Sequence, residues 1–206
     1  MNPRRKRQLA VISIALLVLL IVPAYLKAYA LSGASDAPTL LLGDKAIVNY
    51  AAYRIHVPYT RIQLCRIARP RRGDMVLVQR PDNPARAFKR VIGLPGETVE
   101  MRDNRIIVDG RLLPLKPLPR AAFSWVPAER HKMGSTVFDE DGHWVAFTPG
   151  SGTHRDFGPL HLGAREYFLL GDNRDNSLDC RFWGPIRESA IFGKLILTMA
   201  SGPRLK

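Results

Sequence analysis

The sequence predicts a mainly β domain behind a single N-terminal transmembrane helix. Residues 9–26, LAVISIALLVLLIVPAYL, run 18 positions without a charge. Beyond them come short β-branched runs bounded by Gly, Pro, Asn and Asp, the pattern of strands and turns. No ten-residue stretch after the apolar run carries the spacing of an amphipathic helix.

At about 1.5 Å per residue the apolar run reaches roughly 27 Å, close to the ~30 Å of bilayer hydrocarbon. Arg4, Arg5, Lys6 and Arg7 precede it and only Lys27 follows at once. The positive-inside bias therefore keeps the N-terminus in the cytoplasm and sends the rest across the membrane. The division expected is a basic tail at 1–8, an anchor at 9–27 and an exported remainder. Ala28-Tyr29-Ala30 also fits a small-x-small cleavage site, but the apolar run is longer than the roughly 7–15 residues of a cleaved signal's core. A retained anchor is the reading adopted.

Strands are expected at 46–50, 74–79, 87–94, 98–102, 105–110, 144–148, 166–172 and 190–200. Arg102-Asp103-Asn104, between two of them, reads as a hairpin turn. Residues 113–161 differ. They hold Pro114, Pro117, Pro119, Pro127, Pro149 and Pro159 and four of the five histidines. That composition predicts an inserted, loop-rich cap subdomain on a β core made of 28–112 and 162–206.

The 206 residues carry a net charge of +13, of which +9 remains beyond the basic tail. Hydrophobic residues at 46% and charged ones at 24% exclude global disorder. For an exported domain without a zinc-finger or aromatic RNA-binding signature, nucleic acid is not an expected partner. The lipid bilayer is, at about 1 kcal/mol per well-placed cation beside anionic headgroups. Cys65 and Cys180 are too few for a disulfide framework and offer no zinc knuckle; whether they pair is left open. His131, His143, His154 and His161 lie 12, 11 and 7 apart, which suits no helical metal pair, so no metal site is expected. No HExxH, GxSxG or GxxxxGK[ST] occurs.

Three polar features stand out. Ser35 lies in SGASDAPTLLLGD, nine residues past the apolar run. Lys89 lies in AFKRVIGL, where Ala87, Lys89 and Val91 share one face of a strand. Such a lysine is either an edge residue reaching water or one desolvated enough to be neutral and take a proton. The run GDNRDNSLDCRFWG at 171–184 follows an apolar strand directly and holds more Asp, Asn and Arg than a turn requires.

These features fall in four segments that resemble the type I signal peptidases, membrane-anchored Ser-Lys endopeptidases. They are SxxPTLLLGD at 35–44, RRGDMVLVQRP at 71–81, FKRVIGLPGE at 88–97 and GDNRDNSLDCRFWGPI at 171–186. The resemblance covers most of the chain outside 113–161. It implies a signal-peptidase-like antiparallel β-sheet catalytic domain. Ser35 matches the nucleophile and Lys89 the general base. Ser177 matches a hydroxyl that orients the lysine, and Asp179 and Arg181 match an ion pair bracing the loop. Phe88 is a candidate wall of the substrate pocket.

The activity implied is removal of signal peptides from exported pre-proteins at the outer face of the cytoplasmic membrane, through an acyl-enzyme and without a cofactor. The chemistry is consistent: a serine hydroxyl needs an adjacent base, and a lysine in water, with a pKa near 10.4, is almost wholly protonated at pH 7. Two positions depart from the family pattern. Asp36 stands where Met is usual, and a carboxylate there favours the charged lysine unless it turns to solvent, Arg90 or Arg181. Gly33 stands where some members carry an oxyanion-donating Ser, leaving the Ser35 N–H and Ser32 for that task. The alternatives are a dedicated processing peptidase of the conjugative-transfer kind and a non-catalytic anchored binding protein.

Overall fold

The computed structural model describes residues 3–60, 62–124, 126, 136–148 and 155–200. Pro127, His131, Pro149 and His154 lie outside them. The chain begins with a long helix, α1 (Pro3–Tyr25). Its mean hydropathy over an 18-residue window is 2.4, and none of that window is buried against the rest of the protein. By length and composition it is able to cross a membrane. The basic residues form its first turns. The helix stops two residues short of the anchor boundary expected from the sequence. Pro23 withholds a backbone donor there, and the Tyr25 carbonyl instead accepts from the Tyr50 N–H at 2.7 Å.

Among the described residues sixteen strands follow. In chain order they are β1 (Leu26–Ala30), β2 (Lys45–Asn49), β3 (Arg54–His56), β4 (Gln63–Arg66), β5 (Met75–Gln79), β6 (Arg86–Gly93), β7 (Thr98–Arg102) and β8 (Arg105–Val108). Then come β9 (Arg111–Leu112), β10 (Leu115–Pro117), β11 (Thr136–Glu140), β12 (His143–Phe147), β13 (Phe157–His161), β14 (Glu166–Leu170), β15 (Ile186–Arg187) and β16 (Ile191–Met199). A four-residue helix, α2 (Cys180–Trp183), precedes β15. The main sheet runs β1-β2-β16-β5-β6-β14-β15, every neighbouring pair antiparallel. The fold is mainly β, as the alternation predicts.

The central strands β5 and β6 read MVLVQ and RAFKRVIG and are buried along most of their length, because side chains pack on both faces of the sheet. One core gathers Val76, Val78, Val91, Tyr167 and Phe168; the other gathers Leu40, Met75, Leu77 and Phe88. Between β7 and β8 the turn residues Asp103 and Asn104 have φ of 45° and 62°, the left-handed pair of a two-residue hairpin.

Residues 113–161 are not of one piece. Strands β10, β11 and β12 make their own three-stranded sheet, whereas β13 pairs with β7 in the sheet β13-β7-β8-β9. The edge strand β1, just after the helix, pairs residue by residue with β2.

Candidate active site

Ser35 sits in a loop, 31–44, whose ends are tied together. The Leu31 N–H donates to the Asp44 carbonyl at 2.9 Å, and the Gly43 N–H to the Leu31 carbonyl at 2.8 Å. The loop is also gripped from the far end of the sequence: the Asn173 N–H donates to the Ser35 carbonyl at 3.0 Å and its Nδ2 to the Ala34 carbonyl at 2.9 Å. Lys89 comes from the middle of β6, opposite Val76 of β5, and is 1% exposed. Its Nζ lies 2.9 Å from Ser35 Oγ. Two residues 54 apart in sequence thus meet because a rigid strand and a clamped loop hold them there.

Asp36 turns neither to solvent nor to an arginine. It is 6% exposed, and its Oδ2 accepts from the Ser35 hydroxyl at 2.6 Å. Its Oδ1 stands 3.6 Å from Lys89 Nζ and has no hydrogen-bond partner. Burial pushes the Asp36 carboxyl up to about 6, with the charge of Lys89 and the Ser35 hydroxyl pulling the other way. Arg90 is taken up by Asp172, through Nε to Oδ1 at 2.7 Å and Nη2 to Oδ2 at 2.5 Å.

The 171–181 loop is braced by ion pairs. Arg181 holds Asp179 with two bonds of 2.8 Å, and Asp179 also caps α2 and accepts from the Gly171 N–H at 3.1 Å. Arginine pairing and these N–H bonds overcome burial and keep the Asp179 carboxyl below its usual range. Ser177 lines the same cleft, but its buried Oγ makes no hydrogen bond, so the bond to Lys89 that the resemblance implies is not formed. Gly171 explains the crowding. A Cβ there would stand 2.2 Å from Ser177 Oγ and 2.4 Å from the Ser35 carbonyl oxygen, so only glycine lets the two chains approach.

The cleft around these groups has a volume of about 740 Å³. Ser32 and Gly33 form part of its rim, and Phe88, Leu77 and Tyr29 line one wall. Phe88 is buried and meets Tyr29 edge-on at 6.2 Å, leaving an apolar surface beside Ser35. Leu178 and Phe182 line the cleft while half exposed.

Sequence reading missed the bracing from 113–161. Glu140 of β11 pairs with both terminal nitrogens of the buried Arg174, one at 2.8 Å. The Ala146 N–H donates to the Asp172 carbonyl at 2.8 Å, and the Thr148 N–H to Asp175 at 2.7 Å. The stretch read as a cap is bolted to the loop beside Ser35 and Lys89. Nothing local announces this, since the partners lie more than twenty residues apart. Cys65 and Cys180 are both free, the first exposed and the second buried with Sγ accepting from the Leu169 N–H. Among the described residues no group of three His, Cys, Asp or Glu gathers as metal ligands.

The family profile described as signal peptidase, peptidase S26, matches residues 4–200. The chain belongs to the signal peptidase family. Signal peptidase I of Aquifex aeolicus is 30% identical over 232 residues, spanning 96% of this chain and 85% of that protein. Signal peptidase I T of Bacillus subtilis is 32% identical over 185 residues, spanning 89% and 79%. Signal peptidase I of Pseudomonas fluorescens is 29% identical over 209 residues, spanning 93% and 71%. A crystal structure of signal peptidase I from Enterococcus faecalis, 30% identical, covers 63% of this chain and 99% of its own at a TM-score of 0.40. Membership in the signal peptidase family makes the chain a peptidase, a hydrolase. Its N-terminal helix is compatible with a membrane anchor.

Proposed function

We propose that this chain is a serine endopeptidase that removes signal peptides from exported pre-proteins at the outer face of the cytoplasmic membrane, using Ser35 and Lys89. The observation that carries the reading is the 2.9 Å contact between Lys89 Nζ and Ser35 Oγ in a buried position at the floor of an open cleft. That distance lies within reach for direct proton transfer.

Ser35 Oγ attacks the scissile carbonyl while its proton passes to a neutral Lys89 amine. The new bond is Oγ to carbon. The lysine then gives the proton to the departing amine, and the peptide bond breaks to an acyl-enzyme. Neutral again, Lys89 takes a proton from water, whose oxygen attacks the ester; Ser35 recovers the proton as the acid leaves. The Ser35 N–H, with Ser32 at the rim, serves the oxyanion. Phe88 and its apolar neighbours favour a small uncharged side chain before the cut.

The anchor supports the membrane reading, with α1 crossing the bilayer and its basic N-terminal turns in the cytoplasm. A cut after Ala30 would strip β1 from the main sheet, which supports retention of the helix. Substrate signal peptides lie in the same bilayer, so a nucleophile a few residues beyond the helix meets their cleavage sites at the membrane surface. Ser35→Ala and Lys89→Ala in the full-length protein should each abolish cleavage of a pre-protein while the protein stays folded. Full activity in either variant refutes the dyad. Complementation of a conditional signal peptidase mutant separates general processing from a dedicated enzyme, which would fail to rescue growth.

A further inference from the structure

The strangest group in the site is the one that neither the proposed dyad nor the family pattern uses. Asp36 is buried, touches the nucleophile, faces the base and leaves one oxygen without a hydrogen bond. Asp179 and Asp172 in the same neighbourhood take donors on both oxygens, whereas Asp36 Oδ1 takes none and faces the base. Two hydrogen bonds share the Ser35 oxygen, 2.6 Å towards Asp36 Oδ2 and 2.9 Å towards Lys89 Nζ. This is a continuous three-member chain along which protons are able to move.

We propose that Asp36 is a working member of the proton-transfer set, taking the Ser35 hydroxyl proton as Lys89 gives one to Ser35 Oγ, so that the amine becomes neutral without any change in the net charge of the cluster. The inference rests on Ser35 and Lys89 acting as nucleophile and base. The starting arrangement is an ionised Asp36, a Ser35 hydroxyl donating to it and a Lys89 ammonium donating to Ser35. One Nζ–H bond and the old Oγ–H bond break; a new Oγ–H bond and an Oδ2–H bond form. The product is a carboxylic acid donating to Ser35 Oγ and a Ser35 hydroxyl aimed at the Lys89 lone pair, with one Oγ lone pair left for attack. Burial favours this form, because it replaces two desolvated charges by two neutral groups.

The charges around Asp36 agree. Lys89 and Arg90 face it from β6, and Asp172 faces it from the loop after β14. Arg90 and Asp172 are paired with each other, which leaves Lys89 as its unshared partner. The elevated Asp36 carboxyl, about 6, reflects a group that holds a proton far more readily than an exposed aspartate. Asp36 then stays protonated through acylation and deacylation while Lys89 cycles.

The test uses full-length protein in detergent micelles with a pre-protein substrate. The expected wild-type rate rises through pH about 6, because below it Asp36 is already protonated and Lys89 has no acceptor for its proton. Asp36→Asn, close to isosteric, should lose that limb and lower kcat at pH 7 by at least about tenfold with KM within about twofold. Asp36→Glu should restore the limb. An Asp36→Asn profile that superimposes on wild type, or a fall in kcat with the limb unmoved, overturns the proposal. A second measurement is independent of turnover. With 13C-labelled aspartate, the Asp36 carboxyl carbon, identified by its loss in Asp36→Asn, should keep partial protonated character above pH 6 while Lys89 is there to share its proton. In Lys89→Met it should follow a single titration with its midpoint raised, because the lysine charge no longer pulls it down. A resonance fully ionised down to pH about 4 in the wild type overturns the proposal whatever the activity. A protonated Asp36 in a protein that cuts no pre-protein would instead sink the peptidase reading and leave the proton placement standing.

Discussion

The 171–181 loop and the floor of the cleft handle buried charge in opposite ways. In the loop, Arg181–Asp179 and Arg174–Glu140 are two-pronged pairs, and Arg90–Asp172 joins the loop to β6 in the same manner. Asp179 also takes two backbone N–H donors and Asp172 the Thr39 hydroxyl, while Glu140 is met by His143 as well. On the floor, Lys89 and Asp36 stand 3.6 Å apart with an unsatisfied oxygen, bridged by a serine hydroxyl. Saturated pairs hold a fixed geometry and resist proton exchange. On the proposed reading the unsaturated pair keeps its protons exchangeable, and the braced loop holds it in place.

The comparison breaks most sharply at Lys89. Lys89→Met should lower kcat by about 10²–10⁴-fold and cost little stability in urea below pH about 6, where Asp36 is protonated, but more above it, where a buried carboxylate is left without its cation. Arg174→Met should do the reverse in kind, costing about 3–5 kcal/mol because it leaves Glu140 charged and unpartnered. Replacing Glu140 as well, by Gln, should recover part of that loss.

The two regions should also respond to acid with opposite signs. Glu140 is held near 2 against a usual 4.5, burial being outweighed by Arg174 and His143. Its stabilisation is present above pH 4.5 and lost as pH falls towards 2, so the stability gap between wild type and Glu140→Gln should close over that window, by on the order of 3 kcal/mol. Asp36 is raised from 3.8 to about 6, so its contribution is present when it is protonated and is lost as pH rises through 6. Asp36→Asn should therefore gain stability relative to wild type between pH 4 and 8, by roughly 3 kcal/mol or less. Chemical denaturation across pH checks both signs. The smallest effect concerns the rim. A Cβ at Gly33 meets nothing within 4 Å, so Gly33→Ser should fold normally and raise kcat a few-fold by adding an oxyanion donor, well short of the ~10²–10³ that losing a built-in donor costs elsewhere.

Much of this was legible beforehand. The apolar run gave the helix, alternation gave eight strands, and Asp103-Asn104 gave a hairpin turn. Short elements escaped: β3, β9, β10 and β15 hold two or three residues each, too few for any period to show. β1 was hidden for another reason, since LKAYA continues the apolar run and only pairing with β2 makes it a strand. In the site, the segments around Ser35 and Lys89 and the 171–181 loop could be picked out by residue type, and Asp179–Arg181 is a near neighbour in sequence. The Ser177 hydroxyl was expected on Lys89 and makes no hydrogen bond, a matter of rotamer and approach that no pattern encodes.

Residue order alone determined the apolar N-terminal helix, the strand content and the chemical types available, because hydropathy and alternation are local properties. Tertiary structure decided where the charges went. It sent Glu140 across 34 residues to Arg174, Arg90 to Asp172 and not to Asp36, and the Asp36 carboxyl inward against Ser35. Those choices depend on which buried oxygen finds a donor within about 3 Å. The low dielectric of the interior makes an unpaired group costly enough to fix that outcome only once the sheets have closed.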